Sequence, residues 1–235
     1  MDRIFNRQPI NLESAFKFDH LGKEVQQHLK NVYSTLAIGI IAAAVGAYVH
    51  VFSIFQAGLL SFILSFGLLF AILLTEHKKE NIPMRLAFFT GFGFAIGMNL
   101  GPLISVVGTI DPTILPTALL STSVIFISFS LSALFNRSRS YLYMGGMLLS
   151  GLNILVVMSF LNFFIGSKMI MSAELYLGLA IFCLFILFDT QLIVEKKRLG
   201  DNDFIWHSLD LFLDIVSIFR RIMMLLAKRN ERRED

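Results

Sequence analysis

Three aspartates, Asp189, Asp210 and Asp214, lie inside apolar stretches of this 235-residue sequence, where an ionised group is costly. Asp189 stands seven residues before Lys196, at which a basic connection begins. Asp214 stands seven residues after His207, at which the same connection ends. If both stretches are helices, the two acids lie about 10 Å from the same end of the bundle. Consecutive antiparallel helices would bring their carboxyl groups together, so we predict an Asp189–Asp214 pair.

Two carboxyl groups shielded from water do not ionise together readily, and they tend to share one proton. The shared proton would join the two helices by a hydrogen bond, whereas two carboxylates would repel each other or attract calcium. We therefore predict that Asp189 and Asp214 sense pH, act as a gate and bind calcium transiently. Asp210, only about 4–5 Å deep, is predicted to be an auxiliary acid. The alternative is a structural role, with hydrogen bonds to Thr190 or Ser217, or, for Asp210, a place at a helix N-terminus.

The composition indicates a protein that lies in a lipid bilayer. Hydrophobic residues make up 55% of the chain and charged residues 16%, against about 25% charged in soluble proteins. A water-soluble enzyme is therefore nearly excluded. The net charge of +3 is small and divided among short tracts, so nucleic acid is not an expected partner. No P-loop, zinc or EF-hand spacing occurs in the sequence, and we expect no catalytic site and no cofactor, with calcium only as a permeant ion.

Seven apolar stretches predict an all-α membrane protein, a seven-helix bundle. They lie at about 32–51, 54–74, 86–108, 114–135, 141–165, 173–194 and 208–226. Most are about 20 residues long, enough to cross a hydrocarbon core. In the last stretch only the segment 208–219 precedes Arg220. We therefore expect a last helix that is enclosed by the other six, and a re-entrant helix is the alternative.

The sequence divides into an N-terminal segment, 1–31, a seven-helix domain, 32–226, and a polar, basic tail, 227–235. Lys and Arg are concentrated before the first helix and in every second connection, which places the N-terminus and those connections in the cytosol. The tail breaks this alternation and leaves its own side open. Its basic residues are Lys228, Arg229, Arg232 and Arg233.

Gly93, Gly97 and Gly101 recur at every fourth position of the third apolar stretch. Small residues at this spacing let two membrane helices approach closely, so we predict a helix-packing face. A groove that lines a permeation path is the alternative. Three histidines, His50, His77 and His207, lie near predicted helix ends and are interpreted as interfacial, and proton sensing by one of them is the alternative.

Polar residues recur in distinctive segments between and within the apolar stretches. They include H-L-K-N-V-Y at 28–33 and L-S-A-L-F-N-R-S-R-S-Y-L-Y-M-G-G at 131–146. The most specific segments are F-D-T-Q-L-I-V-E-K at 188–196 and D-F-I-W-H-S-L-D-L-F-L-D at 203–214. With these motifs the sequence resembles the transmembrane Bax-inhibitor-motif family, and most of all its animal members, from about residue 16 to residue 224.

The resemblance implies a multi-pass protein of the endoplasmic reticulum that protects cells from death caused by Bax and by stress in that compartment. It also implies a pH-sensitive calcium leak, binding to anti-apoptotic Bcl-2 relatives and restraint of a stress-sensor kinase with endoribonuclease activity. The paired aspartates of the family correspond to Asp189 and Asp214. An arginine that joins the pair in prokaryotic relatives has no counterpart in 54–74. The basic tail of the family is similar to 228–235, where the final acids Glu234 and Asp235 are a departure.

Three functions follow as hypotheses. The first is a calcium leak channel gated by the aspartate pair. The second is a membrane scaffold that binds Bcl-2 relatives and the stress-sensor kinase, with calcium flux secondary. The third is a calcium/proton antiporter that uses the same acids.

Overall fold

The computed structural model describes residues 21–56, 58–136 and 138–234, with side chains described as far as Asn230. Within these residues the chain forms seven α-helices and no strand, so the predicted all-α fold is confirmed. Two short 3-10 turns, Lys79–Asn81 and Ser140–Met144, precede α3 and α5. The helices are α1 Lys23–Val51, α2 Leu59–Leu74, α3 Ile82–Ile110, α4 Ile114–Phe135, α5 Gly145–Ile165, α6 Lys168–Arg198 and α7 Phe204–Glu234.

Five of the helices, α1, α3, α4, α5 and α6, are long and apolar enough to cross a membrane. Helix α2 has 16 residues and spans about 24 Å, less than the roughly 30 Å of a hydrocarbon core. The chain is therefore a multi-pass membrane protein. Helices α2 and α5 are the outer elements, since α2 packs mainly against α3 and α5 mainly against α6. Their apolar side chains are largely exposed, as on a surface that faces lipid.

Local chemistry accounts for several helix ends. Pro83 lies in the first turn of α3, where its missing N–H removes no helical hydrogen bond. At the start of α6, the Ser167 hydroxyl accepts a hydrogen bond from the Ile170 N–H at 3.4 Å. Helix α2 begins at Leu59, five residues later than the predicted start at residue 54. At this end the Gly58 N–H donates to Ser61 Oγ at 3.1 Å, which joins the preceding residue to the first turn.

Helix α1 begins nine residues earlier than its apolar stretch. Val25, Leu29 and Val32 are buried and recur on one face, so the polar sequence before residue 32 already forms an amphipathic turn of the helix. The last nine residues of the predicted N-terminal segment, 1–31, thus belong to α1. Residues 1–20 of that segment lie outside the described part of the chain.

Helix α7 is continuous for 31 residues, about 45 Å. It is not one of the five helices that are long and apolar enough to cross a membrane, so its place in the bilayer, spanning or re-entrant, stays a prediction. The sequence analysis counted only the residues before Arg220 as a continuous apolar segment. The helix continues because the next residue, Arg221, packs against its neighbours in the bundle. Arg221 Nη1 donates to the Ser217 carbonyl at 3.1 Å, and the guanidinium lies 4.5 Å from the centroid of the Phe182 ring. The predicted tail, 227–235, is a continuation of α7 as far as Glu234.

Contacts between connections show which helix ends share a face of the bundle. On one face, Arg139 of the α4–α5 connection pairs with Glu195 near the end of α6 at 3.0 Å. On the other, Asn230 Nδ2 donates to Asp111 Oδ2 of the α3–α4 connection at 2.6 Å. The basic connections thus lie together, in agreement with the alternation of charge, and α7 ends on the opposite face. The first is called the basic face below.

Helix α7 lies among α1, α3, α4 and α6. Its buried residues belong to two apolar clusters. The first contains Leu209 and Phe212 and lies toward the basic face, and the second contains Ile218 and Met223. Asp214 lies between the two clusters in sequence, so apolar packing fixes its helix on both sides.

Candidate functional site

A short connection fixes α6 against α7 and thereby positions the predicted site. Gly200 adopts φ +99°, a conformation that a side chain would strain, and reverses the chain after α6. Asp201 Oδ1 then accepts from the Asp203 N–H at 2.9 Å. Asp203 Oδ1 accepts from the Trp206 N–H at 3.0 Å and caps the first turn of α7. The connection therefore sets the register of the two helices that carry the acids.

The structure brings Asp189 and Asp214 together. Their side chains lie within hydrogen-bonding reach of each other, and a bond between two carboxyl groups needs a proton on one of them. Asp214 is only 4% exposed, and its Oδ2 has no hydrogen-bond partner among the described residues. Asp189 is partly buried. No basic side chain within the described ranges forms an ion pair with either acid.

Apolar residues flank this pair along both helices. On α6, Ile186 belongs to one apolar cluster and Ile193 to the other, so Asp189 lies between them in sequence. On α7, Phe212 and Ile218 flank Asp214 in the same way. Charges in such surroundings interact more strongly than they do in water.

Asp210 lies near the pair but is not joined to it. It is partly buried, and its charge acts on both Asp189 and Asp214. No hydrogen bond or ion pair to Asp210 occurs in the part of the chain with described side chains. Its place one turn before Asp214 puts it between the pair and the basic face.

Thr190, one of the two hydroxyl residues that sequence reasoning offered as alternative partners, contacts another side chain. Thr190 Oγ1 is 3.2 Å from Ser130 Oγ, which is in turn 2.9 Å from the Tyr33 hydroxyl. These three side chains connect α6 to α4 and α1. The structure therefore assigns Thr190, the neighbour of Asp189 in the chain, to a separate polar cluster.

The three glycines of α3 lie against α1. A Cβ atom on Gly93 would stand 2.7 Å from the Gly39 carbonyl oxygen, and one on Gly97 would overlap the Ala43 carbonyl oxygen. A Cβ on Gly101 would overlap the His50 ring. At Gly93 and Gly97 the backbone of α3 thus meets the backbone of α1, and at Gly101 it meets the His50 side chain.

The tail residues with described side chains also contact the bundle. Lys228 Nζ donates to Ser172 Oγ in the first turns of α6, and Arg229 is exposed. The side chains of Arg232 and Arg233 lie outside the described residues. The end of α7 is therefore held against the face opposite the basic face at two points, Lys228 and Asn230.

Sequence analysis missed a buried histidine pair. His28 Nε2 lies 2.9 Å from His207 Nδ1, and the rings meet edge to face with centroids 5.1 Å apart. His207, interpreted as interfacial, is completely buried. One signal was present in the sequence: His28 falls on the same helical face as Val25, Leu29 and Val32.

A buried arginine was missed as well. Arg85 was counted with the basic connection 75–85, but it lies on α3, where only 3% of its side chain is exposed. Its Nη2 is 2.8 Å from Asp203 Oδ2, and its Nη1 is 2.7 Å from His77 Nδ1. His77 is 3.1 Å from the other oxygen of Asp203. The charge count therefore placed Arg85 at the correct face of the bundle, but it assigned to a connection a side chain that is buried on a helix.

The two acids of the site supply only part of the ligands that a calcium ion takes. No group of three or more His, Cys, Asp or Glu side chains within the described ranges is placed to hold a metal ion. Calcium takes six to eight oxygen ligands, of which Asp189 and Asp214 supply at most four. Water or backbone carbonyls would have to supply the others.

Comparisons with known proteins identify the family. A family model described as "Inhibitor of apoptosis-promoting Bax1" matches residues 25–231. The protein named "Probable Bax inhibitor 1" of Paralichthys olivaceus is 51% identical over 225 residues, which cover 95% of this chain and 94% of that protein. "Bax inhibitor 1" of Homo sapiens is 48% identical over the same length and covers the same shares. "Bax inhibitor 1" of Arabidopsis thaliana is 40% identical over 239 residues, which cover 98% of this chain and 94% of that protein.

The match includes the seven described helices, from α1 to all but the last residues of α7, and both acids of the pair. This chain therefore belongs to the family of inhibitors of apoptosis-promoting Bax1.

Proposed function

We propose that this protein restrains Bax-dependent and stress-induced cell death from the membrane of the endoplasmic reticulum, where it acts as a pH-sensitive calcium leak. The names of its relatives support the first part, since they are called inhibitors of Bax. The observation that carries the calcium leak is the contact between the Asp189 and Asp214 side chains, from two helices, in an apolar part of the bundle.

A proton on this pair favours the closed state. With one proton, the carboxyl groups share a hydrogen bond that joins α6 to α7. Without it, two negative charges in apolar surroundings repel each other and attract a divalent cation. Rising pH on the side that reaches the pair therefore opens the path, and calcium lowers the repulsion as it passes. Asp210 is the outer acid on the route from the basic face.

Calcium flux from liposomes tests this proposal. Purified protein in calcium-loaded vesicles should give a leak that increases with pH. Asp189→Asn and Asp214→Asn should each remove the pH dependence, because an amide cannot ionise. Asp111→Asn, at the far end of the bundle, is the control and should behave as wild type. Equal and pH-insensitive flux from the wild type and both variants would refute the gate.

A scaffold function is the second candidate, and the printed names of the relatives favour it. In this case the protein binds Bcl-2 relatives and a stress-sensor kinase, and flux is secondary. A chain that ends at Ala227 should then lose cell protection and keep its leak. If the protein instead acts as a gated calcium leak, Asp189→Asn and Asp214→Asn should each lose both cell protection and pH-dependent calcium flux.

An antiporter would use the same two acids, one proton against one calcium ion at a time. It differs from a leak in its driving force, because a proton gradient would move calcium against its own gradient. Calcium accumulation in vesicles with an imposed proton gradient would establish exchange. A flux that only dissipates the calcium gradient would establish the leak.

A further inference from the structure

A second titratable cluster lies at the basic face, apart from the aspartate pair. It joins His28 in the second turn of α1 to His207 in the first turn of α7. Both side chains are buried, with exposed fractions of 5% and 0%. His207 Nε2 lies 3.6 Å from Asp201 Oδ2 and has no hydrogen-bond partner among the described residues. These contacts connect the beginnings of two helices that are far apart in the sequence.

The hydrogen count of this pair limits the states that it can adopt. The contact between His28 Nε2 and His207 Nδ1 needs one hydrogen between the two nitrogens. The neutral pair has two arrangements: His28 Nε2 donates and the hydrogen of His207 lies on Nε2, toward Asp201, or His207 Nδ1 donates to His28 Nε2. One added proton preserves the bond, because a doubly protonated ring still donates to a neutral one. A second added proton puts hydrogens on both facing nitrogens, so the bond is lost and two cations repel each other.

The charges around the pair are mixed. Lys196 and Lys197 face it from the end of α6, and His77 faces it from the α2–α3 connection. The acids Asp201 and Asp203 face it from the α6–α7 connection.

These two acids are not equally available to the histidines. Asp203 is already paired with Arg85 and His77, at 2.8 Å and 3.1 Å. Asp201 is therefore the acid that is free to balance one positive charge on the histidines. Within the described part of the chain, no such partner remains for a second charge.

We propose that His28 and His207 form a clasp that holds the start of α7 against α1 while the pair carries at most one added proton, and that releases it when both rings are charged. His207 precedes Asp214 by seven residues, about 10 Å along one helix. The clasp therefore positions Asp214 opposite Asp189. Its effect on calcium flux rests on the function proposed above, but its contact with α1 does not.

Hydrogen exchange of the full-length protein tests the clasp without calcium. Amides of residues 23–29 are followed from about pH 7.5 to about pH 3.5, after correction for intrinsic rates. The range extends below ordinary histidine titration, because a buried ring beside a charged one accepts its proton only at lower pH. His28→Gln keeps an N–H donor to His207 Nδ1 but cannot become charged. His28→Ala removes the donor. His50→Gln, which removes the imidazole at the other end of α1, is the matched control.

In the wild type and in His50→Gln, acid should increase exchange at 23–29 by about tenfold, the size of one lost buried hydrogen bond. His28→Gln should stay protected throughout, and His28→Ala should exchange fast at every pH. Equal pH responses in the wild type and His28→Gln would overturn the clasp. That comparison is sufficient even if His28→Ala does not fold.

Calcium flux then separates the clasp from the gate. The wild-type leak should fall as acid protonates the aspartate pair, and rise again when the clasp opens, whereas His28→Gln should show only the fall. If no protein leaks calcium but exchange follows the pattern above, the proposed function fails and the clasp stands. If the leak follows the aspartates and exchange does not change with His28, the clasp fails and the gate stands.

Discussion

Arg85 and Asp203 form a buried ion pair between α3 and the connection that begins α7, with Nη2 of the arginine 2.8 Å from Oδ2 of the aspartate. The guanidinium also donates to the Ile72 carbonyl at 3.4 Å. Asp203 has a further role, since its other oxygen caps α7 through the Trp206 N–H. One carboxylate therefore fixes both the start of α7 and its distance from α3.

Asp203→Asn should strongly destabilise the protein, because it leaves the Arg85 cation buried without its counter-ion. Loss of one partner of a buried pair typically lowers the free energy of unfolding by about 3–5 kcal/mol. Thermal unfolding in detergent would measure the change. Glu76→Gln, which removes an exposed acid paired with Lys78, is the control and should be near neutral. A similar melting temperature for both variants would contradict this account.

The same pair predicts a loss of stability in acid. Burial raises the pKa of Asp203, but hydrogen bonds from Arg85 and the Trp206 N–H, with the charges of Arg85 and His77, lower it further, so the pKa lies below its usual value. A lowered pKa in the folded state means that stabilisation is present at neutral pH and is lost as pH falls below about 4. Unfolding curves between about pH 6 and pH 3 should show this loss in the wild type. In Asp203→Asn the corresponding component should be absent.

Much of the fold could be predicted from the sequence because lipid imposes simple requirements. Apolar stretches of about 20 residues located every helix, and the alternation of basic connections grouped the correct helix ends. The apolar stretches predicted the ends of α1 and α7 poorly. Apolar composition marks the part of a helix that lies in lipid, whereas both helices continue into polar sequence. Helix α7 continues past Arg221 because the Phe182 ring and a carbonyl oxygen accommodate the guanidinium.

The site was partly predictable for a similar reason. Helical rise alone gave Asp189 and Asp214 equal depth, and the structure brings their side chains together. The histidine pair was not predictable, because its members are separated by 179 positions in the sequence. The spacing of residues along a helix gives their depth in the bundle, but it does not show which faces of α1 and α7 are in contact. Those faces depend on how α7 packs among four other helices, which local sequence does not indicate.

Gly97→Ala should destabilise the α1–α3 contact. A Cβ at this position overlaps the Ala43 carbonyl oxygen, so the helices must separate, at a typical cost of about 1–3 kcal/mol for an overpacked site. Gly108→Ala is the control on the same helix, because no atom lies within 4 Å of its added Cβ. It should be neutral or slightly stabilising. The melting temperatures of the two variants in detergent test this prediction, and that of Gly97→Ala should be the lower. Equal values would argue against close packing of α1 and α3.

Asn230→Ala should loosen the end of α7. The amide of Asn230 donates to Asp111 Oδ2 at 2.6 Å and is one of two contacts that hold this end to the bundle. Hydrogen exchange at residues 226–230 should increase several-fold, whereas exchange in α6 should not change. Arg229→Ala, which alters an exposed neighbour, is the control. Protection equal to wild type would show that Lys228 and apolar packing alone hold the end of α7.

The two ends of α7 should lie on opposite sides of the membrane, because the helix is continuous and its last turns contact the α3–α4 connection. Cys183 is the single cysteine of the chain, so Cys183→Ser gives a background without thiols. In this background, Asn202→Cys and Arg229→Cys each place one exposed thiol at one end of α7. An impermeant maleimide added outside sealed vesicles of uniform orientation should label only one of the two variants. Both should react after detergent is added, which controls for accessibility. Labelling of both from the same side of intact vesicles would mean that α7 does not cross.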